Sequence, residues 1–173
     1  MEKLLKRDNM KRLYLIRHAK SDWSNKELED FDRPLNNRGK KNAPFMGDLL
    51  YKKNVFPDVI ISSPAYRARE TAKKIAKKVG YHEDILYNEY LYEASLKTLL
   101  EVLNFIADEY DDVFLVGHNP GLNLLAFYLV DFNERLPTCG IVEIEFDCDS
   151  WREATKKNAK LISFEYPKKF LKK

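Results

Sequence analysis

The stretch Leu13-Tyr14-Leu15-Ile16-Arg17-His18-Ala19-Lys20 passes from four apolar, β-prone residues directly into a polar segment. Such a short apolar run predicts a buried strand. Two similar runs, 58–61 and 112–116, also lead into polar residues followed by a helical pattern. Strands that alternate with helices form a mainly parallel sheet, and ligands of such sheets bind beyond the carboxyl ends of the strands. The residues that follow these three runs are therefore candidates for a shared site.

Helical patterns fill the spaces between the strands. Apolar residues at three- and four-residue steps predict helices over 38–53, 62–79, 95–110 and 121–130. The segment Ser62-Ser63-Pro64 is typical of a helix start with a serine cap, and Gly80 is typical of a helix end. Pro44 suggests that the regular part of the first helix starts there.

Three further segments complete the predicted sheet. Residues 85–87 indicate a short strand, the alternation over 140–146 indicates a sheet-edge or antiparallel strand, and 160–166 indicate a last strand. We expect an α/β fold, a three-layer α/β/α sandwich with a mainly parallel central sheet and an antiparallel edge strand. We expect one domain over 1–173, in which 1–10 form a flexible N-terminal extension.

The composition is that of an ordinary globular protein, with 45% hydrophobic and 33% charged residues and a net charge of +3. No apolar run is long enough to span a bilayer, and no signal peptide is evident, so we expect a cytoplasmic protein without a membrane partner. The lysines indicate solvated helix faces rather than a nucleic-acid groove. Cys139 and Cys148 predict neither a disulfide framework nor a zinc site.

Two histidines follow predicted strands directly. His18 and His118 each lie in a polar turn after a buried strand, whereas His82 lies in a loop and is expected to be structural or exposed. Arg17 precedes His18, and Arg67 lies about one turn into the helix after the second strand. Because guanidinium groups match phosphate oxygens, these residues predict an anion pocket and phosphoryl chemistry without a metal.

Five segments extend this set along the chain: Arg17-His18-Ala19-Lys20-Ser21-Asp22-Trp23, Asp32-Arg33-Pro34-Leu35-Asn36-Asn37-Arg38-Gly39, Ser62-Ser63-Pro64-Ala65-Tyr66-Arg67-Ala68-Arg69-Glu70-Thr71-Ala72, Leu91-Tyr92-Glu93-Ala94 and Val116-Gly117-His118-Asn119-Pro120-Gly121. In content and order they resemble the histidine phosphatase superfamily, and the compact length resembles its SixA-type phosphohistidine phosphatases. Ala19 stands where the superfamily usually has glycine.

The resemblance implies a role for each member of the core. His18 would be the nucleophile that attacks phosphorus, with its other ring nitrogen bonded to a backbone carbonyl. Arg17, Arg67 and His118 would hold the phosphoryl oxygens. No cofactor and no metal would take part.

The general acid and the loop residues stay open. Glu93 occupies the place where the wider superfamily has its acid, with Glu89 as a weaker rival and a solvated glutamate as an equal alternative. SixA-type enzymes can lack this acid, because a phosphoramidate leaving group can already carry its proton. Lys20 and Ser21 are expected to bind or admit substrate. Asn119 either contacts phosphate or caps the following helix, and we favour the cap.

Three functions remain possible at this point. The first is a phosphatase for protein phosphohistidine or a small phosphorylated metabolite, acting through phosphorylated His18. The second is a mutase of the phosphoglycerate type, although its usual insertions and additional basic residues for the substrate carboxylate are not evident. The third is a phospho-ligand binding module without turnover. The chain is expected to be a monomer or a weak homodimer.

Overall fold

The computed structural model describes residues 10–171. Its strands are β1 (Met10–Arg17), β2 (Val59–Ser62), β3 (Leu86–Tyr87), β4 (Asp112–Gly117), β5 (Ile141–Asp147) and β6 (Ala159–Glu165). Its α-helices are α1 (Asn37–Lys52), α2 (Tyr66–Val79), α3 (Leu96–Asn104), α4 (Gly121–Val130) and α5 (Pro167–Phe170). Residues 1–9 of the expected N-terminal extension lie outside the described residues, and Met10 already begins β1.

The six strands form one sheet in the order β3-β2-β4-β1-β5-β6. Strands β3, β2, β4 and β1 pair in parallel, as their helical crossovers require. Strand β5 pairs antiparallel with β1, and β6 pairs antiparallel with β5 at the edge. The mainly parallel sheet with antiparallel pairing at one edge is confirmed.

Helices cover both faces of the sheet. Successive residues of β1 alternate between two cores, because side chains of a strand point to opposite faces. Leu13 and Leu15 belong to the core beneath α3 and α4, whereas Tyr14 and Ile16 belong to the core beneath α1 and α2. The expected three-layer arrangement is therefore confirmed.

Two predicted helix boundaries are wrong. Helix α1 begins at Asn37 rather than at Pro44, because the side chain of Asn36 accepts a hydrogen bond from the Gly39 N–H at the helix start. Helix α3 ends at Asn104 rather than at residue 110. The Asn104 side-chain amide donates to the carbonyls of Trp151 and Ala154, which ties the helix end to a neighbouring loop.

The predicted serine cap of α2 is also wrong. Ser62 is the last residue of β2, and α2 begins only at Tyr66 without a side-chain cap. The side chain of Ser63 instead lies within hydrogen-bonding distance of His118. The end of α2 agrees with the prediction, since Gly80 adopts the left-handed conformation after Val79.

Candidate active site

His18 lies buried at the carboxyl end of β1, where backbone hydrogen bonds hold it on both sides. Its N–H donates to the carbonyl of Gly117, and its carbonyl accepts from the N–H of Cys139, both at 3.0 Å. The ring Nδ1 lies 2.7 Å from the Ala19 carbonyl oxygen, which can only accept, so Nδ1 carries the proton. The other ring nitrogen, Nε2, therefore carries the lone pair of the ring.

The surroundings keep the His18 ring neutral. Burial lowers its pKa from 6.5 to about 3, and the nearby positive charges of Arg67 and Arg17 act in the same direction. The hydrogen bond to Ala19 opposes this shift without cancelling it. A neutral imidazole with a lone pair on Nε2 has the form that a nucleophile requires.

The lowered pKa of His18 predicts a loss of stability at acid pH. Because the folded protein resists protonation of His18 while the unfolded chain accepts a proton near pH 6.5, the stability contributed by neutral His18 is lost as pH falls below that value. Between pH 7 and pH 5 we expect this ring to lower the free energy of unfolding by about 2 kcal/mol. Urea unfolding of wild type and His18→Gln at both pH values measures the effect. If the free energy of unfolding changed equally with pH in wild type and His18→Gln, this prediction would be wrong. His82→Gln, at an exposed position, serves as control.

Arg67 approaches His18 from the first turn of α2. Its Nε donates toward His18 Nε2 at 3.3 Å, and its two terminal nitrogens bind Asp30, one at the backbone carbonyl (2.7 Å) and one at the carboxylate (3.0 Å). The hydroxyl of Tyr92 donates to the same carboxylate at 2.6 Å. Burial alone would raise the pKa of Asp30, but the hydrogen bonds from Tyr92 and Arg67 outweigh it and lower the pKa. Asp30 therefore fixes Arg67 as a charged neighbour of His18.

His118 follows β4 and lies beside His18, with the ring centroids 5.2 Å apart. Its Nε2 is 2.8 Å from the Ser63 hydroxyl oxygen, and that oxygen accepts a hydrogen bond from the N–H of Ala65. Among the described residues, the Ser63 hydroxyl has no other acceptor for its proton, so we assign it as the donor to His118 Nε2. The proton of the neutral His118 ring is then on Nδ1. Burial lowers the pKa of His118 to about 4, so this ring is also neutral.

Two buried donors in this region lack a partner among the described residues. They are Nδ1 of His118 and Nε of Arg17. Arg17 uses another nitrogen, Nη1, to donate to the Leu136 carbonyl at 3.0 Å. Buried N–H groups are nearly always hydrogen-bonded in folded proteins, so unmatched donors at a pocket wall indicate a place for an acceptor-rich ligand. A phosphate oxygen is an acceptor of the kind that these donors lack.

A cavity of about 720 Å³ joins these groups, and it is lined by Arg17, His18, Lys20, Ser21, Trp23, Asp30, Arg67, Tyr92, Glu93, Ala94, His118, Asn119, Pro120, Gly121 and Thr138. The structure thus brings together all eight residues that the sequence analysis selected. Exposed Trp23, Glu93 and Pro120 form part of its rim. Within residues 10–171, no group of three or more histidine, cysteine or acidic side chains is arranged to hold a metal ion.

The sequence candidates outside the core of Arg17, His18, Arg67 and His118 differ in their surroundings. Glu93 lines the pocket in an exposed position and adopts a left-handed backbone conformation (φ 54°), which is unusual for a residue with a side chain. Glu89 lies in the short 3-10 helix Glu89–Leu91, and its side chain is not part of the lining. Asn119 accepts a hydrogen bond from the Asn123 N–H and donates to the Leu136 carbonyl, which agrees with the favoured capping role. Ser21 is buried, and Lys20 is half-buried.

The sequence analysis did not select Asp30, Tyr92 or Ser63 as site residues. Asp30 lies in a stretch without any helical or strand period, and its contacts reach across 37 residues to Arg67 and 62 residues to Tyr92. The segment Ser62-Ser63-Pro64 instead predicts that a serine caps a helix. Its proximity to His118 could have been anticipated, because both follow neighbouring strands of a parallel sheet.

Thr71 connects the His18 turn with the Arg67 helix and supports a prediction. Its buried hydroxyl accepts from the Ala19 N–H at 2.9 Å and donates to the Arg67 carbonyl at 2.8 Å. Thr71→Val leaves a buried N–H unpaired, so we expect a loss of about 1–3 kcal/mol in the free energy of unfolding. Thr71→Ser should restore most of it, as measured by urea denaturation. Equal destabilisation by both substitutions would show that packing of the methyl group, and not the hydrogen bond, is responsible.

A second cavity of about 640 Å³ has a different character. It lies between β3 and α3, and its lining is mainly apolar and aromatic, with Glu101 as the one charged side chain. It offers no cation to a phosphate. The chemistry of the molecule is therefore expected in the cavity that contains His18.

Comparison with known proteins agrees with this geometry. The family model described as histidine phosphatase superfamily (branch 1) matches residues 13–112. An uncharacterized chloroplastic protein of Arabidopsis thaliana is 32% identical over 153 residues, which cover 83% of this chain and 70% of the relative. A crystal structure from Agrobacterium tumefaciens, provisionally assigned as the phosphohistidine phosphatase SixA, superimposes with a TM-score of 0.76 and 30% identity over 91% of this chain and 99% of that chain. The protein histidine phosphatase SixA complexed with tungstate has the same fold, with a TM-score of 0.80 at 18% identity over 92% of this chain and 99% of that chain.

Proposed function

Because the chain belongs to the histidine phosphatase superfamily, we propose that it is a phosphatase that forms a covalent phosphohistidine at His18 and acts on phosphohistidine in proteins. One observation carries the proposal. A neutral His18 has its Nδ1 proton held by the Ala19 carbonyl and its Nε2 lone pair beside the Arg67 guanidinium, inside a cationic pocket. This arrangement suits attack on an anionic phosphorus centre.

The reaction has two balanced steps. In the first, the lone pair of His18 Nε2 forms a bond to phosphorus while the bond to the leaving group breaks, and the leaving atom keeps the electron pair of that bond. Arg17, Arg67 and His118 donate hydrogen bonds to the phosphoryl oxygens as charge redistributes. In the second step, water attacks phosphorus, the bond from phosphorus to Nε2 breaks, and orthophosphate leaves with restored neutral His18. The proton released by the water passes to phosphate or solvent.

The surroundings of Glu93 favour phosphohistidine over a phosphate ester. An alkoxide leaves poorly unless an acid protonates it, whereas a histidine leaving group can already carry its proton. Glu93 is exposed and forms no hydrogen bond to another described residue, so no partner holds it on the leaving-group side. The 30% identical Agrobacterium structure carries the SixA assignment, which supports the same substrate class.

Glu93→Gln tests this substrate assignment. With two peptides of identical sequence, one phosphorylated on histidine and one on serine, we expect wild type to prefer the phosphohistidine peptide. The substitution should leave phosphohistidine turnover within about threefold, because a histidine leaving group can already carry its proton and needs no acid. Phosphate release measures both reactions, and Glu89→Gln is the matched control. A wild-type protein that prefers the phosphoserine peptide would contradict the assignment.

A further inference from the structure

A second, strongly basic cleft adjoins the His18 pocket. It encloses about 360 Å³, and five cationic side chains line it: Arg17, Lys20, Arg38, Arg135 and Lys168. We call these five residues and the space between them the basic cleft. Arg17, Lys20 and Thr138 line both this cleft and the His18 pocket, so the two spaces share a wall.

The described lining of the basic cleft contains no acidic side chain. The rest of its lining consists of Asn42, Pro137, Thr138, Tyr166 and Pro167, none of which is acidic. Ion pairs occur elsewhere on the described surface, for example from Lys53 and Lys169 to Glu165. None of the five cations of the cleft forms an ion pair with another described residue.

The cluster results from tertiary folding rather than from one solvated helix. Arg38 comes from α1, Arg135 from the loop before β5, and Lys168 from α5. Like charges brought together repel one another, and the effect of Arg135 on Arg17 is visible as a further lowering of the Arg17 pKa beyond that caused by burial. Such an arrangement is unfavourable without a ligand and becomes favourable when an anion binds.

We propose that the basic cleft binds a second anionic group, a carboxylate or a phosphate, of the substrate whose phosphoryl group lies at His18. The inference deepens the proposed function and rests on it, since it concerns the part of the substrate beyond the reacting phosphorus. Because the two spaces share a wall, one molecule, or neighbouring residues of one peptide, can place an anionic group in each of them. Two sources fit this chemistry: acidic residues that flank a phosphohistidine, or the second phosphate of a small bisphosphate.

Binding to the His18→Ala variant tests the proposal without consuming the ligand. The first pair of ligands is a phosphohistidine peptide flanked by glutamates and the same peptide flanked by glutamines. The second pair is propane-1,3-diol bisphosphate and propyl phosphate. Calorimetry measures the dissociation constant of each ligand. In at least one pair, we expect the ligand with the additional anionic group to bind about tenfold more tightly than its partner without that group. The pair that shows the preference identifies the source of the anion.

Two double variants, each made in the His18→Ala protein, test whether this binding preference depends on the basic cleft. Arg38→Gln with Lys168→Gln removes two charges of the basic cleft, and we expect the preference to fall at least about fivefold. Lys73→Gln with Lys77→Gln removes the same charge from exposed positions of α2, and the preference should persist. Equal affinities within both pairs, or a preference that survives the cleft substitutions, would overturn the proposal.

Turnover by the wild type separates this inference from the proposed function. Hydrolysis of the phosphohistidine peptide without any binding preference would overturn the role of the basic cleft alone. A binding preference without hydrolysis would support the cleft and contradict the phosphatase activity.

Discussion

His18→Ala is expected to lower kcat/KM toward a phosphohistidine peptide by about 10⁴-fold or more, because it removes the nitrogen on which the proposed covalent intermediate forms. The described pocket contains one further histidine, His118, but its Nε2 is engaged by the Ser63 hydroxyl and its Nδ1 carries the proton. The lone pair of His118 Nε2 is therefore held by a shorter hydrogen bond (2.8 Å) than that of His18 Nε2 (3.3 Å). Alanine at position 18 leaves the arginines in place, so binding of phosphate should survive.

Folding must be separated from chemistry in this experiment. His18 is buried and its Nδ1 binds the Ala19 carbonyl, so its replacement by alanine also affects stability. Circular dichroism and binding of orthophosphate provide the check, and His82→Ala, at an exposed position, provides the matched control. Equal turnover by His18→Ala and wild type would exclude His18 as the nucleophile.

Arg67→Lys is expected to lower kcat/KM by about 10²- to 10³-fold although it keeps the positive charge. The guanidinium of Arg67 donates in three directions, to His18 Nε2 and to two oxygens of Asp30. A lysine ammonium is a point charge on a flexible stem and cannot hold this planar arrangement. The loss should therefore appear mainly in kcat, because the charge that attracts phosphate remains.

Arg69→Lys is the matched control for this substitution. Arg69 lies on the same helix, but its Nε donates to the Pro64 carbonyl and its guanidinium lies 5.2 Å from the Tyr66 ring centroid, outside the His18 pocket. We expect its kcat/KM to stay within about threefold of wild type. If Arg67→Lys behaved like Arg69→Lys, positive charge alone would explain the role of Arg67.

The core of the candidate site was predictable because it depends on sheet topology. Strands β2, β4 and β1 are neighbours, and their carboxyl ends lie at one edge. His18 and His118 follow two of these strands directly, and Arg67 lies in the helix after the third. The rule that ligands bind beyond the carboxyl ends of parallel strands was therefore sufficient to predict that these three residues share a site. No knowledge of side-chain contacts was needed.

The partners of this core were not predictable from local patterns. Asp30 lies in a polar stretch without a period, and nothing local indicates that its carboxylate binds both Arg67 and Tyr92. The end of α3 was missed for a similar reason, since the Asn104 side chain there binds the distant carbonyls of residues 151 and 154. Long-range side-chain contacts decide these features, and a single sequence does not display them.

The basic cleft illustrates the same limit. Lysines and arginines that are considered as local clusters along the chain do not indicate a site for a second anionic group of the substrate. Arg38, Arg135 and Lys168 are far apart in the chain and meet only after folding. Charge patterns along one helix therefore give little information on a charged cleft formed by several elements.

Trapping of the phosphoenzyme is the most direct test of the account. Wild-type protein is mixed with a phosphohistidine peptide, quenched in alkali within milliseconds, and digested for mass spectrometry. The account predicts one transient phosphoryl group on His18 that disappears as orthophosphate is released, and no such group in His18→Ala. Orthophosphate release without any phosphorylated His18, or a phosphoryl group on another residue, would contradict it.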